Sequence, residues 1–355
     1  MGLLDFFASK TVVGLDIGSW GVKAVLLKEA SKGYHLVTMG MEPLPPEVVV
    51  DGTIMDAGVV VEAIGRLFGK TGIKIKNVAL GVSGTSVIVK RIKVGRRSPQ
   101  ELRESISFEA EQYIPFDIDD VNIDYEVIEN PMSADSPEVD LILVAVKREK
   151  VDENTAIVAQ SGLQPVIVDV DGFALQNCFQ ANYDTERGEV VALIDIGAAV
   201  MNINILHDGV HMLYRDISVG GNQYTDAMQR ELRVSYEQAE ALKRGDHVDG
   251  VALKDTAEIL DQVTKDISME IQRSFDYFRA TTGTDQIDKV YLTGGCTKIH
   301  GIDRYFAARL GSTVEFLDPF RRIEAPKQFA GRDAAEWAPF MAVAIGLAMR
   351  RLGDK

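Results

Sequence analysis

The sequence predicts an α/β protein of two similar lobes facing one cleft, with a smaller α+β unit inserted into the first lobe. Three observations predict it. An apolar strand, an Asp-Ile-Gly turn and a second apolar strand occur twice, at residues 11–27 and 190–206. Each copy runs on through a polar turn, Ser31-Lys32-Gly33 or His207-Asp208-Gly209, into a third strand. Between the copies, from about Thr85 to Pro165, lies a segment with its own strand–helix–strand–strand–helix rhythm. A repeated three-stranded meander is one supersecondary unit used twice, hence two lobes of like fold.

Each element has its own signal. Val59, Ala63, Ile64, Leu67 and Phe68 recur at helical spacing and lead to a strand at 78–82. Within the inserted segment, strands are predicted at 87–94, 121–128 and 141–146, and helices over 98–112 and 149–161. Ser98-Pro99-Gln100-Glu101 supplies a cap, a first-turn proline and a first-turn acid. The stretch from Asn130 to Glu138 reads as a flexible hairpin connection. In the second lobe helices are predicted over 222–232 and 237–244. A long amphipathic helix follows over 254–279, with Ile259, Val263, Ile267, Ile271, Phe275 and Phe278 on one face. A strand at 290–292, a glycine turn and a closing apolar helix over 334–352, buried as a lid between the lobes, complete the reading.

Composition bounds the function. The 355 residues are enough for two cores. With 46% hydrophobic and 26% charged residues, the chain is ordinary for a globular protein. A net charge of −15 opposes binding of nucleic-acid backbones. Cys178 and Cys296 have no paired spacing, which fits a reducing compartment. No apolar run approaches the roughly 20 residues of a spanning helix. The apolar stretch Met1–Phe7 is too short for a signal peptide and lacks the hydroxyl residue of a myristoylation motif. Work at a membrane would need a partner to bring the chain there.

The chemistry centres on the glycine turns. Asp16-Ile17-Gly18-Ser19 and Asp195-Ile196-Gly197-Ala198 suit phosphate, because glycine lets backbone N–H groups approach an anion and Ser19 adds a hydroxyl. An aspartate ending each strand, Asp16 or Asp195, can hold hydrated Mg²⁺. Lys23 either reaches a phosphate as a point charge or stands on the hairpin surface. Gly220 and Gly221 precede a helix that Asn222 can cap, forming an anion site or only a capped turn. Gly294 and Gly295 allow flat approach to a base or ribose, with the Lys298 stem along one face, or form a generic loop. Glu240 and Lys243, with Arg244 beside them, are either a solvated i,i+3 pair or a ribose-and-base contact.

Taken in order, these segments resemble the actin-like ATPase superfamily of actin, sugar kinases and heat-shock chaperone ATPases. Asp16–Lys23 and Asp195–Asn202 resemble its phosphate motifs. Residues 168–174 and 342–350 resemble its connecting motifs, and 293–301 its adenosine motif. Glu240, Lys243 and Arg244 match the adenosine-clasping helix of the chaperone branch. The resemblance implies two actin-like (ribonuclease H-like) lobes around a nucleotide cleft. The first lobe would take residues 1–84 and 166–188, the inserted subdomain 85–165 and the second lobe 189–333, with 334–355 a connecting helix returning to the first lobe.

Within the superfamily, Glu109–Asp117, Asn122–Glu126, Ile217–Thr225 and the Met1–Phe7 start are similar to the PilM family of type IV pilus assembly, related to FtsA. That similarity implies ATP or ADP with Mg²⁺ as cofactors, and a cytoplasmic scaffold peripheral at the inner membrane through its partners. Those partners would be the N-terminal peptide of a PilN-like inner-membrane protein, docked between the first lobe and the insert, and the pilus motor ATPases. It leaves room for weak self-association. The second phosphate motif departs from the superfamily pattern, since Ala198-Ala199-Val200-Met201 offers no hydroxyl. ATP binding is therefore expected and hydrolysis slow or absent, with Asp195 and Asp171 the carboxylates nominated for water activation. An FtsA-like filament ATPase and a small-molecule kinase are the rival readings. The basic run Lys90–Arg97 reads as a solvated hairpin or as a contact with an anionic membrane or partner.

Overall fold

The computed structural model describes residues 11–354 except 32, 129–135, 285, 327, 330 and 331. The Met1–Phe7 stretch, Lys32 and residues 130–135 of the hairpin connection lie outside the described residues.

Two five-stranded sheets share one topology. In the first, β1 (Val13–Ile17) pairs antiparallel with β2 (Gly21–Ala30), which pairs with β3 (Gly33–Pro43). On its other side β1 runs parallel to β6 (Asn77–Val82), and β6 to β10 (Gln164–Val170). In the second, β11 (Val190–Ile196) takes the central place. It lies antiparallel to β12 (Met201–His207), then β13 (Val210–Ile217), and parallel to β14 (Lys289–Thr293), then β15 (Thr313–Phe316). The register repeats too: Asp16 lies opposite Lys23, and Asp195 opposite Asn202. The short pair β4 (Val49–Val50) and β5 (Thr53–Ile54) forms a hairpin beside the first sheet's cleft end.

A third sheet, ordered β7-β9-β8, is built from β7 (Val87–Gly95), β8 (Val121–Ile128) and β9 (Glu138–Lys147) and carries its own core. Within the basic run 90–97, Arg91 is only partly exposed. It pairs with Asp140 at 2.6 Å and reaches Met212 of the second lobe, while Lys90, Lys93, Arg96 and Arg97 stay exposed.

The helices follow their local chemistry. Helix α1 (Ala57–Thr71) starts where the Asp56 carboxylate accepts the Val59 N–H at 3.1 Å, and ends at Gly72 in the left-handed region. It buries Val60, Ala63, Ile64 and Leu67, worth about 1.5–3 kcal/mol for each large side chain. Helix α2 (Pro99–Ala110) has Ser98 as its cap and Pro99 and Glu101 in its first turn as predicted, and the Glu101 side chain also bonds back to the Ser98 N–H, completing a capping box. Helix α3 (Arg148–Gln160) follows β9, and α4 (Asp171–Asn182) follows β10. In the second lobe come α5 (Gly221–Leu232), α6 (Tyr236–Lys243) and α7 (Leu253–Thr282). All six predicted apolar positions of α7 are buried.

The sequence reading missed α4, the helix α8 (Ile302–Leu310) and the edge strand β15. It also overran the last helix. That helix, α9 (Ala334–Ala348), stops where Arg350 turns to pair with Asp169 at 2.8 Å and Arg351 bridges to Thr11. Rather than a cover, α9 is an interior pillar. It crosses α4 so closely that a Cβ at Gly346 would run into the Ala174 carbonyl, and it lies on β1 where a Cβ at Gly14 would strike Ala344. One core cluster joins α4 and α9 to β11, β12 and β14 of the second sheet.

Candidate functional site

The two Asp-Ile-Gly turns face each other across one cavity between the lobes. Its wall is made by the β1–β2 turn, the β11–β12 turn, the 293–299 turn, α6 and the start of α9. Of the residues nominated from sequence, Asp16, Gly18, Ser19, Lys23, Asp171, Asp195, Gly197, Ala198, Gly221, Glu240, Lys243, Arg244, Gly294, Gly295 and Lys298 all line it. Gly220 does not. It lies behind the second turn, where a Cβ would sit 2.6 Å from the Gly197 carbonyl oxygen.

That packing corrects the reading of the α5 start. The Gly221 N–H donates to Gly197 O at 2.9 Å and the Asn222 N–H to Ala198 O at 2.8 Å. These helix-end amides fasten the second turn and are already satisfied within the protein, so they are not free to bind an anion. Asn222 also does not cap, because the helix begins one residue earlier with Gly220 at the cap position.

Glu240 and Lys243 are not a solvated pair. Both are mostly buried, paired to each other, and tied to α5. Thr225 Oγ1 donates to Glu240 Oε1 at 2.5 Å, and Lys243 Nζ donates to Thr225 Oγ1 at 2.9 Å and Gly221 O at 3.3 Å. Lys23 is likewise no surface residue, since its ammonium lies 2.6 Å from Asp16 Oδ2. Burial works against that charge, but Asp16 first, then Asp195 and Asp171, outweigh it and raise the Lys23 pKa.

The acids hold the opposite problem. Burial, and next the Asp16 charge, push Asp171 up to about 8, although a Ser83 hydrogen bond counters them. Its Oδ1 is buried without a hydrogen-bond partner among the described residues. Asp195 is raised to about 7 by burial, countered by Lys23 and reinforced by Asp16 and Asp216. Asp216, on β13, is raised to about 6 by burial despite hydrogen bonds from Tyr214, Asn202 and Gly84. The Gly84 N–H reaches Asp216 Oδ2 at 2.6 Å, a bond from the first lobe to the second.

The donor set fits a hydrated divalent cation carrying phosphate. Desolvated carboxylates with raised pKa values gain from a cation that favours their ionised form. Among the described residues no three Asp, Glu, His or Cys side chains could chelate an ion alone. A Mg²⁺ held by Asp16 and Asp195 would therefore take its other oxygens from water and phosphate, as Mg²⁺ commonly does. The 294–295 turn has the required bareness: Gly294 has φ +91, and a Cβ there would collide with Asp195 and Ile196.

Sequence reasoning missed Trp20, Gly52, Ser83 and Phe340, which also line the cavity. Trp20 was legible, since it sits inside the first glycine turn. The other three come from elements whose folding back on the cleft has no local signal.

The family model for type IV pilus assembly protein PilM matches residues 14–352. A solved PilM-PilN type IV pilus biogenesis complex superposes with a TM-score of 0.85 at 25% identity, over 96% of this chain and 98% of that one. Ethanolamine utilization protein EutJ from Carboxydothermus hydrogenoformans gives a TM-score of 0.57 at 16% identity, over 95% and 89%. MreB5 of Spiroplasma citri bound to ADP gives 0.53 at 13%, over 96% and 95%. These last two speak to fold alone, and with the repeated sheets they make it actin-like. The chain belongs to the type IV pilus assembly protein PilM family.

Proposed function

We propose that this chain is a nucleotide-binding scaffold of type IV pilus biogenesis, and that it hydrolyses ATP slowly or not at all. The observation that carries the nucleotide part is the opposition of two equivalent turns, Asp16–Ser19 and Asp195–Ala198, across one cavity. In this reading the turns hold the phosphates of ATP or ADP, Lys23 adds a cation, and Asp16 and Asp195 hold Mg²⁺. Glu240, Lys243, Arg244, Gly294, Gly295 and Lys298 take the base and ribose. Slow turnover rests on the hydroxyl-free second turn, Ala198-Ala199-Val200. Asp195, raised to about 7, is partly ionised at neutral pH and able to accept a proton from water, whereas Asp171, raised to about 8, does so only once a bound cation has displaced its own proton.

The scaffold part draws on family membership and on the similarity to a PilM solved with PilN. The partner is the N-terminal peptide of a PilN-like inner-membrane protein, and the complex links it to the motor ATPases. Among the described residues no helix is long and apolar enough to cross a membrane, so membrane association in this reading runs through the partner. Calorimetric titration of Mg·ATP into wild type, Asp16→Ala and Gly295→Asp tests the site. Binding in wild type and none in the variants, with unchanged circular dichroism, supports it; retained binding in both variants removes the assignment.

A further inference from the structure

Ser19 and Trp20 are the two tip residues of a hairpin closed by paired bonds, Gly18 N–H to Gly21 O at 3.1 Å and Gly21 N–H to Gly18 O at 3.2 Å. The Trp20 carbonyl is pinned as well, accepting the Leu44 N–H at 2.9 Å. With its backbone fixed on both sides, the indole stacks on Phe340, ring centroids 6.0 Å apart and 23° between planes. Phe340 belongs to α9, whose preceding residue is stitched to the second lobe. The Pro339 carbonyl accepts the Gly294 N–H at 2.8 Å and the Thr293 hydroxyl at 3.3 Å. The Lys298 ammonium stands 4.8 Å from the same phenyl ring, and a Cβ at Gly295 would lie 3.2 Å from that ring.

One ring pair thus joins the turn carrying Gly18 and Ser19 to the turn carrying Gly294, Gly295 and Lys298. Both rings line the cavity, and Trp20 is 37% exposed. An exposed indole lining the cavity gains by being covered.

We propose that Trp20 is a positioning residue for the nucleotide: stacked on Phe340, it forms the apolar wall along which the ligand lies and fixes the spacing of the two turns. This rests on the nucleotide reading above. The wall contacts the ligand between its phosphate end, at Gly18 and Ser19, and its base end, at Gly295 and Lys298. Occupancy of the cleft therefore changes the surroundings of the indole.

The chain has only two tryptophans, Trp20 and Trp337, so Trp337→Phe leaves Trp20 as the sole indole reporter. Mg·ATP titrated into this variant, and into wild type as a check on folding, is expected to change the emission with the half-saturation that calorimetry gives. Trp20→Ala is expected to weaken the affinity about tenfold, the upper end of what an aromatic pair contributes. Trp20→Phe, which keeps a ring, should recover most of it. Normal calorimetric binding with a silent Trp20 emission, or with an unweakened Trp20→Ala variant, overturns this proposal alone. Absence of binding heat in wild type overturns the nucleotide reading, and this proposal with it.

Discussion

Lys23 Nζ and Asp16 Oδ2 stand 2.6 Å apart, directly across the β1–β2 ladder, while the second lobe places neutral Asn202 opposite Asp195 at the same register. The duplicated hairpin is therefore electrostatically asymmetric. Only the first hairpin neutralises its aspartate from within, and the second leaves Asp195 to charges beyond its own hairpin, in part that of Lys23. Lys23→Met should remove the partner of a largely buried carboxylate and cost about 3 kcal/mol of stability, the lower end for breaking a buried pair. Denaturant titration at pH 7 reads that loss, and a cost near zero would show that solvent already screens the pair.

The cluster of buried acids sets a pH dependence. Asp171, Asp195 and Asp216 are raised to about 8, 7 and 6 from an ordinary value of 3.8. Between about pH 4 and 8 the folded chain keeps protons that the unfolded chain has released. The ligand-free stability these groups contribute is thus full at low pH and lost as pH rises through the folded values. Each proton accounts for at most about 1.4 kcal/mol per pH unit. Thermal melting from pH 5 to 8 should show the fall, and Asp171→Asn should flatten its upper part. An Asp171→Asn profile parallel to wild type would mean that Asp171 is ionised throughout.

Gly294 is held at φ +91 beside Asp195. Gly294→Ala should strain the backbone and push the 293–298 turn from the second aspartate, destabilising the fold by more than about 1 kcal/mol. Nucleotide affinity should fall more than stability does, which calorimetry and melting separate. Equal stability and affinity to wild type would show that the turn tolerates a side chain.

Both thiols should be inert in the native protein. Cys178 is fully buried and its pKa is raised, while burial pushes Cys296 up to about 12 against the lowering influence of Lys243. A thiol reagent at pH 8 should label neither at a useful rate until denaturant is added, when both react. Rapid native labelling of Cys296, which lines the cavity, would show that the cleft opens further than this structure does.

Much of this was legible because the signals were local or repeated. The Asp-Ile-Gly turns, the Ser98 helix cap and the apolar stripe of α7 each sit in one continuous stretch whose periodicity or spacing specifies the geometry. What escaped depends on tertiary contact. Helix α4 has weak amphipathic patterning because it is buried against α9 on one side and the second sheet on the other. The α5 start reads as an anion site, yet its amides are taken by the carbonyls of residues 197 and 198, which sequence spacing does not place there. Glu240 and Lys243 carry ordinary surface spacing, and it is Thr225 and the Gly221 carbonyl of a neighbouring helix that draw them inward.

In the function proposed above, one cleft binds nucleotide in a scaffold that also takes a short peptide. The most direct measurement is calorimetric titration of Mg·ATP, followed by titration of a PilN-like N-terminal peptide into the same sample. Saturable one-to-one binding of both is expected, with Asp16→Ala abolishing the first. No nucleotide heat in a folded wild-type protein, or nucleotide binding undisturbed in Asp16→Ala, would contradict it.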